Sequence, residues 1–265
     1  MTLSEWIRNK EIRGQLMFSI DDVRKDFIET SNKVLHTSIN RMIKAKRISD
    51  VYKGYYVIIP PQYVLKGVVP PSYYIHNMMR YVDKPYYVAL LSAAEMYGAS
   101  HQRAMQTQVM TVPPRNKQSG KNPYIYWCFR SAIPQELLRQ TNTEAGIMLY
   151  SSAELTAIDL VQYADHIGGY QRAATVLAEL ADEVDWTKME SVVHVTTTAA
   201  LQRLGYILEF VLGEQKKSDI LFEIVRQKAK VMKPILMRNG KLTIEGSTKN
   251  RWKVNMNIDI GIDEL

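Results

Sequence analysis

The sequence predicts an α+β chain in two parts: an amino-terminal winged helix-turn-helix, followed by a larger mixed α/β, helix-rich carboxy-terminal domain. Three observations carry that prediction. The first sixty residues hold three short amphipathic segments and then two β-prone runs around the turn Tyr52-Lys53-Gly54. Two proline-rich breaks follow, Pro60-Pro61 and the stretch KGVVPPS at 66–72. Beyond them, runs rich in β-branched and aromatic residues give way to segments with apolar residues at three- and four-residue spacing. The expected boundaries are 1–62 for the winged helix, 63–72 for a Pro-rich linker and 73–265 for the second domain.

Taken in order, the first helix is expected over 2–9 with Trp6 and Ile7 inward. Ser19 suits the N-cap of a second helix over 20–28, with Asp21 and Asp22 in the first turn, where the helix dipole favours carboxylates. Thr30, Ser31 and Asn32 supply the turn and cap of the third helix, and 48–51 with 55–59 form the wing hairpin. In the second part, 86–97 reads as a helix stopped by Gly98, and 108–112, 124–130 and 146–150 read as strands. Ser151 and Glu154 have the spacing of a capping box before a helix over 153–166, which Gly168-Gly169 ends. Helices over 170–184, 197–212 and 219–232 follow, and 241–245 with 252–260 suit a terminal hairpin.

Bulk properties set limits. At 265 residues, 46% hydrophobic and 23% charged, the chain has room for two globular domains. Its net charge of +7 favours polyanionic partners only weakly, but the charge is uneven. Residues 1–59 carry eleven Lys or Arg against seven Asp or Glu, so four of the seven net charges lie in under a quarter of the length. The single cysteine, Cys128, excludes a disulfide framework and any multi-cysteine metal site, and its apolar setting (YIYWCFR) suits a buried thiol. With no signal-peptide pattern and no apolar run of about 18 residues, the expectation is a soluble, cytoplasmic protein with no membrane partner.

The third helix carries the sharpest chemical signal. Residues 31–47 (SNKVLHTSINRMIKAKR) contain five cations, Lys33, Arg41, Lys44, Lys46 and Arg47, and no carboxylate. Leu35, Ile39, Met42 and Ile43 fall on one side, with Val34 alongside; Lys33, His36, Thr37, Asn40, Arg41 and Lys44 fall on the other. An apolar face for a small core and a cationic, amide-bearing face for phosphates and base edges is what reading a major groove requires. Asn40 and Arg41 are the base-edge candidates, since amide and guanidinium groups contact adenine and guanine bidentately. Thr37 and His36 suit bases or sugar, Lys33 and Lys44 phosphate, and Lys53 at the wing tip, beside Tyr52 and Tyr55, the backbone or minor groove. The bland reading is a solvated helix face; the cap, the helix-turn-helix spacing and the wing weigh against it.

Elsewhere the chemistry is thin. The five histidines, His36, His76, His101, His166 and His194, lack metal-ligand spacing, and no glycine-rich nucleotide loop is present, so no cofactor and no enzymatic activity are expected. Glu214-Gln215-Lys216 matches a nuclease-like E-x-K fragment but falls between helices. Asp159, among Ile158, Leu160 and Val161, suits a buried structural carboxylate. Leu201, Leu204, Leu208 and Val211 form a stripe that reads as core. The loop 115–121 has three cations and no carboxylate, which fits either an open surface loop or a contact to nucleic acid or a protein partner.

The order of blocks PYYVALLSAAEMYGASHQ (85–102), SSAELTAIDLVQYADHIGG (151–169) and QRLGYILEF (202–210), after a winged helix, resembles the AbiEi family of bacterial abortive-infection antitoxins of type IV toxin–antitoxin systems. The resemblance spans roughly 4–232. It implies an amino-terminal domain that represses its operon by binding inverted repeats in double-stranded operator DNA; our preferred reading puts two molecules on one repeat, which leaves room for dimerisation on the DNA. It also implies a carboxy-terminal domain that counteracts a nucleotidyltransferase-like toxin without a stable complex. The competing reading is a protein-interaction or toxin-modifying module that complexes the toxin directly, its winged helix serving protein contact.

Overall fold

The computed structural model describes residues 1–99, 104–113, 122–228, 231–240 and 249–261. By packing, the chain forms two units, neither a single stretch of sequence. Unit 1 is Met1–Tyr86, Val109–Ile133 and Gln140–Leu149; unit 2 is Tyr87–Gln108, Pro134–Arg139 and Tyr150–Leu265.

Unit 1 opens with α1 (Leu3–Ile12), started by a capping box in which the Glu5 amide donates to Thr2 Oγ1 and the Thr2 amide donates to Glu5 Oε2. It runs a turn beyond the expected 2–9. A three-residue strand, β1 (Met17–Ser19), comes next and was not expected from the sequence. Helix α2 (Ile20–Asp26) starts at Ser19, whose hydroxyl accepts from the Asp22 amide at 3.1 Å while Asp22 Oδ2 accepts from the Ser19 amide at 2.8 Å. It stops two residues short of the expected end, because Phe27 leaves the helical region. Helix α3 (Asn32–Lys44) begins at Ser31 as expected. The hairpin strands are β2 (Ile48–Tyr52) and β3 (Tyr55–Ile58).

The sheet order is β1-β3-β2, all antiparallel, with Met17 opposite Val57 and Ile48 opposite Ile58. Three helices and this sheet enclose one small core. Trp6 meets Phe18 edge to face at 5.1 Å, and Leu35, Ile39, Ile7, Val23 and Ile58 fill the space around them. Trp6 is held further by its Nε1–H, which donates to Asp26 Oδ2 at 2.6 Å.

After the proline breaks come α4 (Ile75–Val82) and β4 (Tyr86–Val88), then α5 (Leu90–Ala94). The expected helix over 86–97 is therefore corrected. Its first three residues are a strand, α5 is short, and Glu95–Tyr97 is a 3-10 turn ended by Gly98 at φ 73. Every residue from Tyr86 to Ala94 is buried, and a segment enclosed on all sides loses the alternation that separates strand from helix. Four more strands, β5 (Thr107–Thr111), β6 (Ile125–Phe129), β7 (Leu138–Thr143) and β8 (Gly146–Ser151), give a five-stranded sheet of order β6-β5-β4-β8-β7. The edge strand β7, polar after its first residue Leu138, is an addition to the sequence reading.

Unit 2 is built around α6 (Ala153–Gln162), buried at every position from Ala153 to Val161. Packed on it are α5, α7 (Tyr170–Leu180), α8 (Glu190–Val193) and α9 (Thr198–Tyr206). The cap of α6 departs from the expected Ser151/Glu154 box. Ser152 is the N-cap, accepting from the Leu155 amide, and Glu154 instead accepts from the Asp185 amide at 3.2 Å. Asp159 is 1% exposed and accepts from the Tyr87 hydroxyl at 2.6 Å, so it is the buried structural carboxylate the sequence suggested. Leu201, Leu204 and Leu208 are fully buried core.

Helix α9 continues into a π-helical turn, Ile207–Val211, before α10 (Gln215–Lys228). The short strands β9 (Ile235–Leu236) and β10 (Val254–Asn255) pair parallel, replacing the expected terminal hairpin; residues 241–245 of that hairpin lie outside the described residues. Trp252 is fully buried against Gly205 of α9, and its Nε1–H donates to Glu209 Oε2, which also accepts from Arg251 Nε and Ser218 Oγ. Arg203 fixes the other side by donating to the Leu236 carbonyl through Nε and one terminal nitrogen. Among the described residues no helix is long and apolar enough to cross a membrane.

Candidate nucleic-acid interface

Helix α3 divides as its sequence pattern requires. Leu35 and Ile39 are buried in the unit 1 core, and Met42 and Ile43 pack half-buried against it. Lys33, His36, Thr37, Asn40, Arg41 and Lys44 are all exposed on the remaining face. Val34 is not core: it is 54% exposed. The Thr37 hydroxyl donates to the Lys33 carbonyl at 2.8 Å, one turn back, which leaves its oxygen lone pairs facing outward.

The helix end matters as much as its face. Both α1 and α2 carry acidic residues in their first turns, Glu5 in one and Asp21 with Asp22 in the other, whereas the first turn of α3 has none. The carboxyls of Glu5 and Asp22 are held below the usual carboxylate range. For Glu5 the main cause is the hydrogen bond from the Thr2 amide; for Asp22 partial burial pushes upward, and the Ser19 amide and hydroxyl bonds overcome it. Those two helix ends are thus already neutralised. At α3 only the Ser31 hydroxyl meets the amides, at 3.5 Å from Val34 N, so the positive dipole end and Lys33 lie together with no anion built in.

Of the remaining cations in 31–47, Lys46 and Arg47 lie beyond the helix. Lys46 has φ 52, and its aliphatic stem lies close over Gly67; Arg47 is 3.8 Å from Glu11. The hairpin is a two-residue turn, Lys53-Gly54, closed by the Tyr52–Tyr55 pair. Lys53 is exposed at its tip, and Gly54 takes φ 73. A Cβ at 54 would stand 3.0 Å from Ile20 Cγ2 and 3.2 Å from the Tyr81 hydroxyl, so glycine is needed there on both counts. Tyr55 does not flank Lys53 on the surface: it is buried and stacked on Tyr81 at 5.0 Å, an enclosure that pushes its phenol up to about 12. Tyr52 is half-buried.

Sequence reasoning missed Asn122. Its side-chain amide donates to the Val51 carbonyl at 3.1 Å and to the Tyr74 hydroxyl at 2.9 Å, tying β2 of the hairpin to a segment seventy residues later. Nothing in the local sequence signals that bond, because one polar residue beside a proline looks like any loop residue. The basic loop 115–121 and His101 lie outside the described residues. Cys128 is fully buried. Glu214 precedes α10, while Gln215 and Lys216 are in its first turn, away from any strand. Among the described residues no group of three or more His, Cys, Asp or Glu is placed to hold a metal ion.

Residues 87–210 match the model of the AbiEi antitoxin C-terminal domain. The chain resembles the AbiEi antitoxins. The match runs from β4 into the π-helical turn after α9, and it supports an antitoxin role in a toxin–antitoxin system for this AbiEi-like chain. Among solved structures, the crystal structure of the RV2827C protein from Mycobacterium tuberculosis has a TM-score of 0.68 at 13% sequence identity, covering 96% of this chain and 91% of that one. At that identity the likeness is one of fold, and it spans the α+β architecture from end to end. No curated protein matches the chain.

Proposed function

We propose that the chain is the DNA-binding, autoregulatory antitoxin of a type IV toxin–antitoxin pair, acting in the cytoplasm. Residues 1–62 read operator half-sites, 63–72 connect, and 73–265 neutralise a nucleotidyltransferase-like toxin. The single observation that supports the DNA reading best is the solvent-facing side of α3: six polar or cationic side chains, an acid-free first turn and no carboxylate between Glu29 and Asp50. On such a surface phosphates supply most of the affinity and base edges the selectivity. Asn40 and Arg41 are assigned to base edges, Thr37 and His36 to bases or sugar, and Lys33, Lys44 and Lys53 to the backbone. Two molecules on an inverted repeat would place two copies of α3 one helical turn apart.

The test is fluorescence anisotropy of the full-length protein on the DNA upstream of its own gene, with a scrambled competitor and a salt series. Arg41→Ala and Asn40→Ala are each expected to weaken the specific complex by about 1–3 kcal/mol and to relax its sequence preference. Unchanged binding in both variants would remove α3 from the interface. A stable stoichiometric complex with a toxin encoded beside the antitoxin would favour protein contact as the role of this surface.

A further inference from the structure

A cleft of about 340 Å³ lies within unit 1, between the start of α1, the α2–α3 turn and one flank of α3. Its size falls in the range of small-molecule sites, about 300–1,000 Å³. The floor is apolar, formed by Leu3, Phe27, Leu35 and Met42, and hydroxyls from Thr30 and Ser38 stand on the walls. Arg41 lines it too, and no acidic residue does. Arg24, Arg226 and Arg251 are each held by a carboxylate, but Arg41 has no ion pair among the described residues. The surroundings are unusually apolar for a surface. Met1 is 69% and Val34 54% exposed at the cleft, and Ile28, beside the lining Phe27, is 84% exposed.

We propose that this cleft binds a small amphipathic carboxylate, its tail on Leu3, Phe27 and Met42 and its head on the Arg41 guanidinium, and that occupancy withdraws Arg41 from DNA. One guanidinium matches one carboxylate in a bidentate pair, with the wall hydroxyls taking the remaining lone pairs. A phosphate dianion would keep a charge uncompensated over an apolar floor. The regulatory half rests on the DNA reading above; the binding half does not.

The test uses full-length protein with ¹³C-methyl methionine, titrated with octanoate, octan-1-ol and octylamine. Octanoate is expected to shift the Met42 and Met1 methyl resonances saturably. The alcohol, and octanoate on Arg41→Gln, should each bind at least ten-fold more weakly, and the amine should not bind. Ser4→Trp, which fills the mouth of the cleft from a position outside the DNA-contact set, is expected to lose octanoate binding. It should keep its affinity for upstream DNA, which in the wild type falls as octanoate is added. Absence of methyl shifts, equal binding of the alcohol, or shifts driven by protein concentration alone (a second copy in the cleft) would each overturn the proposal. Octanoate binding that leaves DNA affinity untouched would overturn its regulatory half. If the protein bound no DNA at all, the methyl titration would still decide the cleft while the DNA reading fell alone.

Discussion

Replacing Gly205 by alanine separates local preference from tertiary packing, because the two predict opposite signs. Gly205 lies within α9, where Gly→Ala alone is worth about 1 kcal/mol of added stability. A Cβ at this position, however, would fall 2.1, 2.2 and 2.3 Å from Cζ2, Cη2 and Cε2 of Trp252. The indole must retreat by more than an ångström, and it has nowhere to go. It is fully buried, edge-on to Phe222 at 5.2 Å, bonded through Nε1 to Glu209 at 2.9 Å, and its own carbonyl accepts from Gln202 at 2.6 Å. Expelling it approaches the cost of Trp→Ala, about 3–5 kcal/mol, so the expected net loss is about 2–4 kcal/mol. The assay is the urea midpoint followed by far-ultraviolet circular dichroism, read where m is unchanged. Trp252→Ala and the double variant complete a cycle in which Gly205→Ala should cost nothing once the indole is gone. A gain in stability for Gly205→Ala alone would refute the seating of the carboxy-terminal segment on α9.

Ser19→Ala should cost about 0.5–2 kcal/mol by uncapping α2. Asp22, the reciprocal partner, has its folded pKa lowered below the ordinary 3.8, so the unfolded chain binds its proton more readily. Its contribution is therefore complete above that value and lost as pH falls through the lowered one; acid titration of the urea midpoint should show this loss shrinking in Ser19→Ala. Tyr87→Phe removes the bond to the buried Asp159 and should cost about 1.5–3 kcal/mol in the same melts; a loss under about 0.5 kcal/mol would mean that other contacts carry the carboxylate. Lys53→Ala should weaken DNA binding evenly across sequences and reduce the salt slope by about 1, whereas a change in sequence preference would move Lys53 from the backbone to a base.

Where the chain carried its own punctuation, the sequence was readable. Ser19 and Ser31 start α2 and α3 where the cap pattern put them, Gly54 turns the hairpin, and the stripe Leu35, Ile39, Met42 sorts the faces of α3. These are local decisions, made by a hydroxyl, a missing Cβ or a 3.6-residue period. Elements that exist only because a distant partner accepts them were not readable. Strand β1 is three residues long and is a strand by pairing with β3; β7, polar after Leu138, is a strand by pairing with β8 at the sheet edge. The same limit misplaced the cap of α6, since Glu154 had a better use for its carboxylate in the Asp185 amide than in the turn beside it.

By itself, then, the sequence determined the α+β composition, the amphipathic split and acid-free charge of the third helix, and the apolar identity of the core stripes. Each follows from residue type and short-range spacing. Only the tertiary structure decided that Tyr55 turns inward on Tyr81, leaving Lys53 at the hairpin tip without it, and that Asn122 anchors β2. It also decided that Arg41 borders a cleft and that Trp252 closes over Gly205. The physical reason is common to all four. Each depends on atoms brought together from separate parts of the chain, where burial and hydrogen-bond satisfaction, rather than local propensity, choose among side chains that look equivalent in sequence.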